Sequence, residues 1–221
     1  TLQGPGVADV AHNFVQRWNG ASEAARDDGR FGRHGLAALP YPDSLPNRCG
    51  AADVQVQRTT RGGLYPPPLP PIDGRALDPA PHERTNLAQY LSAIDTARRS
   101  IYIENQYLEV PRIVAALARA LDRGVEILII LPMVPDFSMR PADVTSERRA
   151  FLEARAALGT HAGFTLCGLA VQGATGELTP VYVHSKLMVV DGVFATIGSA
   201  NLHHYSLYGN GELNAAVRDE G

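Results

Sequence analysis

From Val7 to Trp18 the apolar residues Val7, Val10, Ala11, Phe14, Val15 and Trp18 recur at i, i+3, i+4 and i+7, the spacing of one helix face. That face predicts a helix over 7–18 that needs a partner to cover it. Residues 20–53 are rich in Gly, Asp and Arg with little period, and 65–81 hold seven of the 16 prolines, including Pro66-Pro67-Pro68 and Pro70-Pro71. Both stretches read as extended loop, because proline lacks the N–H that a helix interior or a central strand uses. Between them, Val54 to Arg58 alternates as a short strand would.

After Pro81 the pattern becomes a regular alternation. It predicts a helix from about Arg84 to Arg99, a strand over Ile101 to Tyr107 and a helix over Arg112 to Arg123. A strand over Val125 to Leu131, a helix over Val144 to Leu158 and a strand over Phe164 to Leu169 follow. The Asp122-Arg123-Gly124 turn supplies a glycine stop after the second of these helices. Short strands between amphipathic helices predict an α/β fold, a layered α/β/α sandwich with a mixed sheet. No internal repeat is visible.

Composition narrows the function. Lys+Arg number 20 against Asp+Glu 23, giving a net charge of −3 and a pI near 6.1. Without a basic tail or run, a nucleic-acid partner is disfavoured. No apolar run approaches the ~18 residues of a membrane span, and the densest, Ile127 to Leu131, reads as a core strand. The expectation is a soluble or peripheral protein without a signal-peptide apolar region, its compartment unassigned. Cys49 and Cys167 lie 118 positions apart and form neither a disulfide framework nor a zinc-type pair. The chain begins Thr-Leu-Gln and ends just after a predicted strand over Leu213 to Val217, which suggests a fragment of something longer.

Of the 20 basic residues 19 are Arg, and the only lysine is Lys186. Where Arg replaces Lys wherever charge alone suffices, a surviving lysine marks a place that needs a compact ammonium rather than a planar fork. A tight pocket around one phosphate oxygen is such a place.

Lys186 lies in the stretch VYVHSKLMVVDGVFATIGSAN, from Val181 to Asn201, where two β-rich runs flank Asp191-Gly192. That dipeptide predicts a hairpin with a two-residue turn. Val190 would then face Val193, with His184 opposite Ser199 and Lys186 opposite Ile197. Alternation would project His184, Lys186, Ser199 and Asn201 from one face, with Val183, Leu187 and Val189 on the other. An imidazole, an ammonium, a hydroxyl and an amide on one patch grip an oxyanion. They lack the paired carboxylates or His/Cys cluster of a metal site, so the expected ligand is a phosphate bound without metal or other cofactor.

His184-x-Lys186, Asp191 five residues after the lysine, and Gly198-Ser199-x-Asn201 fix six residue types. At about one chance in twenty for each, a given start position matches on the order of 10⁻⁸ of the time. The pattern resembles the HxKxxxxD(x)₆GSxN signature of the phospholipase D superfamily, position for position. Ile101 to Tyr107, IYIENQY, is similar to the segment before the second motif in lipid-cleaving members, and Val7 to Trp18 to the segment after their first motif. Arg84 to Arg99 and LPMVP at Leu131 to Pro135 are similar too.

The resemblance implies one lobe of an enzyme whose active site lies between two motif-bearing halves. Residues 1–20 would be a remnant helix of the N-terminal lobe, 21–82 an irregular linker, and 83–221 the C-terminal phospholipase D-like lobe. The implied partners are a phospholipid substrate and either that N-terminal lobe or a second copy carrying the other motif. The implied reaction is cleavage or transphosphatidylation of phospholipid head groups through a phosphohistidine, with His184 as general acid and base. Alternatives are a phosphatidyltransferase of cardiolipin-synthase type, a dimeric nuclease, and a non-catalytic phosphate-binding lobe.

Lys186 would hold a non-bridging oxygen as charge builds, with Ser199 and Asn201 donating beside it. Asp191, in the turn, is expected to fix the loop by local hydrogen bonds rather than to touch substrate. Gly198 is expected to let the ligand approach the strand. Glu212, 28 residues beyond His184, stands where the family places the imidazole's acidic partner, a solvated loop glutamate being the equal alternative. His203 and His204 stay outside the catalytic set. Glu104, Asn105 and Gln106, polar residues of a predicted central strand that require partners, either border the site or serve structurally, and structural use is the expectation. The proline-rich loop with Leu64, Tyr65 and Leu69 reads as a linker rather than a lipid contact.

Overall fold

Strand pairing organises the molecule around one eight-stranded sheet, with two small two-stranded ribbons beside it. The structure is a computed structural model that describes residues 2–23, 38–65, 69–72, 75–77, 82–133 and 145–219. Its elements are α1 (Gly6–Glu23), β1 (Asp53–Thr60), β2 (Leu69–Ile72), β3 (Arg75–Leu77), β4 (Glu83–Arg84), α2 (Thr85–Thr96) and β5 (Ser100–Glu104). They continue with α3 (Pro111–Asp122), β6 (Glu126–Ile130), α4 (Ser146–Leu158), β7 (Phe164–Cys167), β8 (Leu169–Gln172) and β9 (Leu178–Val181). The chain then forms β10 (Leu187–Val190), β11 (Phe194–Gly198), α5 (His204–Tyr208) and β12 (Glu212–Arg218).

The sheet order is β4-β1-β12-β11-β10-β5-β6-β7. Pairing is antiparallel from β4 through to β5 and parallel from β5 to β7, a mixed sheet. The two parallel steps are joined by α3 and α4, as crossover connections between parallel strands require. The core lies on the face where Ile101, Ile103, Ile127, Ile129 and Met188 meet Tyr90 and Ile94 of α2, Ile113 and Leu117 of α3, and Leu158 of α4. Each such side chain, when wholly buried, stabilises the fold by about 1.5–3 kcal/mol. Helix α3 shows why the pattern was readable: Ile113, Val114, Ala116, Leu117, Ala120 and Leu121 are its buried face, Pro111 opens it, and Gly124 at φ +84° follows it. On the other face α1 packs against β1, where Val54 and Arg58 alternate with the core-facing Gln57 and Thr59. Gly6 lies against Val54, and the Arg58 guanidinium donates to Gln16 Oε1 at 2.7 Å. The fold is therefore the expected α/β class, with helices on both faces of a mixed sheet.

The structure departs from the expected elements at several places. The strand from Phe164 divides at Gly168: β7 stays in the main sheet, while β8 leaves it and pairs with β9, which the sequence pattern did not announce. The proline-rich stretch expected as loop contains the antiparallel pair β2 and β3, and residues 66–68, 73–74 and 78–81 lie outside the described residues. Val144, the expected start of α4, also lies outside them; the described helix begins at Ser146, where Thr145 caps it by accepting from Arg148 N at 3.1 Å. Within the stretch read as linker, β1 pairs with β12 over seven residue pairs and so belongs to the central sheet.

Candidate functional site

The hairpin that carries the signature has a different register from the expected one. Asp191 and Gly192 both take positive φ, +55° and +75°, and Val193 N donates to Val190 O at 3.2 Å, so the tight turn forms. Val190, however, pairs with Phe194, not Val193. Val193 is an extra residue whose carbonyl accepts from Asp219 N at 2.9 Å, just after β12. This bulge shifts the register by one, so Lys186 aligns with Gly198 rather than Ile197, and Gly198 N donates to Lys186 O at 3.2 Å. Strand β10 begins only at Leu187, and strict alternation therefore does not place His184, Lys186, Ser199 and Asn201 on one face.

Two other interactions gather part of the group. The Lys186 side chain is buried, 7% exposed, and its ammonium donates to Gln106 Oε1 at 2.6 Å and to the main-chain oxygen of His184 at 2.6 Å. Gln106 in turn donates from Nε2 to the Tyr182 hydroxyl at 2.7 Å, and the Tyr182 ring stacks on that of His184 with centroids 6.2 Å apart. Lysine, glutamine, tyrosine and histidine thus form a chain of contacts along one edge of the site. Burial pushes the Lys186 amine below its ordinary value, and the negative charge of Glu212 opposes that shift. Both acceptors are neutral, so the ammonium is not cancelled by a contacting carboxylate. An ammonium carries three N–H groups, and these two acceptors engage two of them.

Glu212 does not anchor the His184 imidazole. Its two oxygens accept from Ser199 Oγ at 2.6 Å and Ser206 Oγ at 2.9 Å, which hold the carboxylate across the start of α5. Ser199 is tied further by accepting from Leu213 N at 3.1 Å. His184 itself is exposed.

The segment 198–202 is fixed from beneath by buried polar groups. Asn214, fully buried, accepts from Ala200 N at 3.0 Å and donates to Tyr90 Oη at 3.2 Å and Thr196 Oγ1 at 3.3 Å. Tyr90 Oη donates to Ala200 O at 3.3 Å, and burial outweighs the Asn214 contact in pushing the phenol up to about 12. Asn105 Oδ1 accepts from Leu202 N at 3.1 Å. With both main-chain groups of Ala200 held, its neighbours Ser199 and Asn201 are presented in one geometry. Asn201 Oδ1 is buried without a hydrogen bond to a protein group. At Gly198 a Cβ would collide with Leu213 O and Asn214 Oδ1, so the glycine permits the close approach of β12.

Asp191 sits at the far end of β10 from Lys186, about 13–17 Å away for a strand of this length. Its carboxylate accepts from the main-chain N–H of Arg98, Arg99 and Ser100 at 2.8–2.9 Å, and Arg99 donates back to Asp191 O at 2.7 Å. Partial burial works against the anion, but these three N–H groups and the Arg99 charge hold the carboxyl below its ordinary value. Asp191 therefore joins the hairpin tip to the α2–β5 connection.

His203 caps α5 by accepting from Tyr205 N at 3.4 Å, with Nε2 3.7 Å from Glu109, while His204 stacks on Tyr208. Glu104 accepts from the Tyr102 hydroxyl at 2.5 Å, and this bond foremost pushes that phenol up to about 12. Asn214 and Tyr90 are the contributors that residue-type spacing does not reveal, while Gln106, one of the three residues read as bordering the site or serving structurally, is the partner of Lys186. Among the described residues, no group of three or more His, Cys, Asp or Glu is placed to hold a metal ion.

Comparison with known proteins agrees with the signature. The family model described as "Cardiolipin synthase, PLD-like domain" matches residues 90–221, and the chain belongs to this phospholipase D-like superfamily. It is 24% identical over 256 residues to human phospholipase D1, covering 98% of this chain and 23% of that protein. To cardiolipin synthase A of Pseudomonas putida it is 30% identical over 222 residues, covering 100% of this chain and 36% of the relative. The solved structure of the phospholipase D family member Nuc from Salmonella typhimurium is 20% identical, with a TM-score of 0.47, over 76% of this chain and 84% of Nuc. The chain spans about a third or less of the length of the curated relatives it matches. Among the described residues, no helix is long and apolar enough to cross a membrane.

Proposed function

We propose that this chain is one catalytic half of a phospholipase D-type phosphodiesterase acting on phospholipid head groups. The observation that carries this reading is the ammonium of the only lysine, buried beside His184 and held by two neutral oxygens. Such a group favours a phosphoryl oxygen more as its charge grows, so it stabilises the transition state more than the bound substrate.

A histidine of the other half-site attacks phosphorus and forms a P–N bond while the P–O bond to the head-group alcohol breaks. His184, as imidazolium, gives that oxygen its proton. Neutral His184 then takes a proton from water or a second alcohol, whose oxygen forms the new P–O bond as the P–N bond breaks. Lys186 holds a non-bridging oxygen throughout, with Ser199 and Asn201 beside it. Glu212 orients Ser199, and Asp191 positions the hairpin. In this reading residues 83–221 form the lobe together with strand β1, 1–20 belong to the preceding half and the rest of 21–82 joins them.

A second reading, phosphatidyl transfer to a lipid alcohol, is favoured by the description of the matching family model and by the 30% identity to cardiolipin synthase A. One experiment separates both lipid readings from a nuclease and from a non-catalytic lobe: the full-length protein that carries this chain is incubated with phosphatidylcholine and ethanol, and separately with DNA. Phosphatidylethanol is the expected product. Cleavage of DNA without lipid products would identify a nuclease, and no product from either would identify a phosphate-binding lobe.

A further inference from the structure

The ribbon of β8 and β9 enters the site directly: β9 ends at Val181, followed by Tyr182, which contacts Gln106 and His184. All eight of its strand residues are exposed. Its register pairs Leu169 with Val181 and Val171 with Thr179, placing Leu169, Val171 and Val181 on one face. Leu178 lies on the opposite face with Ala170 and Pro180. Val171 is 61% and Leu178 64% exposed, so both faces carry large apolar groups in contact with water. From Leu169 to Tyr182 the only charged side chain is Glu177, in the turn.

An isolated two-stranded ribbon gains little stability in water, and exposed apolar groups clustered on one mark an interaction surface. A flat protein partner would cover one face and leave the other wet. A lipid interface surrounds an inserted ribbon and covers both. The hydrocarbon core is excluded, because the outer main-chain N–H and C=O groups of each strand would lose their water there. The boundary between head groups and acyl chains, about 5–10 Å deep, keeps those groups hydrated while covering Leu169, Val171 and Leu178. The near absence of charge suits a zwitterionic surface.

We propose that the β8–β9 ribbon is a wedge that seats the protein on a phospholipid surface and brings head-group phosphates to Lys186. The choice of lipid as occupant rests on the phospholipid reading of the adjoining site.

The test is co-sedimentation of the full chain with phosphatidylcholine vesicles, at low and high salt, for the wild type and for Val171→Asp/Leu178→Asp. Both side chains are exposed, and circular dichroism and thermal melting verify that the variant is folded. The wild type is expected to partition with the vesicles independently of salt, and the double variant at least tenfold less. Equal partitioning of wild type and folded double variant, or no partitioning of the wild type, overturns the wedge. So does a dimer, measured by analytical ultracentrifugation without lipid, that the double variant dissociates. Cleavage of a short-chain, monomerically dissolved phosphatidylcholine by the full-length protein reports on the site alone. A protein that cleaves it but ignores vesicles loses the wedge and keeps the chemistry, and one that binds vesicles through the ribbon without cleaving loses the chemistry alone.

Discussion

The ammonium of Lys186 lies 2.6 Å from Oε1 of Gln106, a residue 80 positions earlier in the chain, and this amide links the lysine to Tyr182. A neutral amide holds the charge without neutralising it, which a glutamate in its place would do. Gln106→Glu is therefore expected to bring a carboxylate onto the ammonium, raise the lysine's affinity for its proton and lower phosphate affinity at least tenfold. Gln106→Ala is expected to weaken it less, with melting temperatures of both within about 4 °C of the wild type, the shift for ~1–2 kcal/mol in a chain of this size. Titration with inorganic phosphate at several pH values checks this. Equal affinities would show that Gln106 does not position Lys186.

Asp191→Asn isolates the carboxylate at the hairpin tip, since asparagine tolerates the positive φ of 55° as well as aspartate does. Weakening its hold on three N–H groups is expected to cost about 1–3 kcal/mol. Because the folded-state carboxyl is held below its ordinary value of 3.8, its contribution is fully present above that value. It is lost as pH falls from there through the folded-state value. Denaturant unfolding of wild type and variant at pH 7 and at progressively lower pH should show the difference shrink. A difference that grows on acidification contradicts the assignment.

Asn214→Ala leaves Ala200 N, Tyr90 Oη and Thr196 Oγ1 without a shared partner in a buried site. The expected loss is about 2–4 kcal/mol, from unsatisfied groups and a small cavity. Gly198→Ala is expected to be at least as damaging, because its Cβ meets main chain of β12 that has no room to move aside. Thermal melting reads both. A Gly198→Ala protein as stable as the wild type would show that the strands can separate without cost.

Much of the sheet and core was legible because periodicity records burial: α3, β5 and β6 carry their buried faces as spacing in the sequence. Register was not, because the residue that shifts it, Val193, is an unremarkable apolar position whose role is set by a hydrogen bond from Asp219, across the sheet. The signature named His184, Lys186, Ser199 and Asn201, yet the side-chain partner of Lys186 comes from the segment just after β5, and the buried support under Ala200 from α2 and β12. Such contacts arise only when distant segments pair, and residue types at fixed short spacing carry no record of them. Glu212 illustrates the limit: its position in the sequence suited an anchor for His184, and two serine hydroxyls hold it instead.

The central claim is that Lys186 grips a phosphate as a compact ammonium. Affinity for inorganic phosphate, measured on the wild type and on Lys186→Arg, tests it most directly. The account predicts a folded variant, its melting temperature within about 4 °C of the wild type, whose phosphate affinity falls at least tenfold. A folded Lys186→Arg protein that binds phosphate as tightly as the wild type would contradict it.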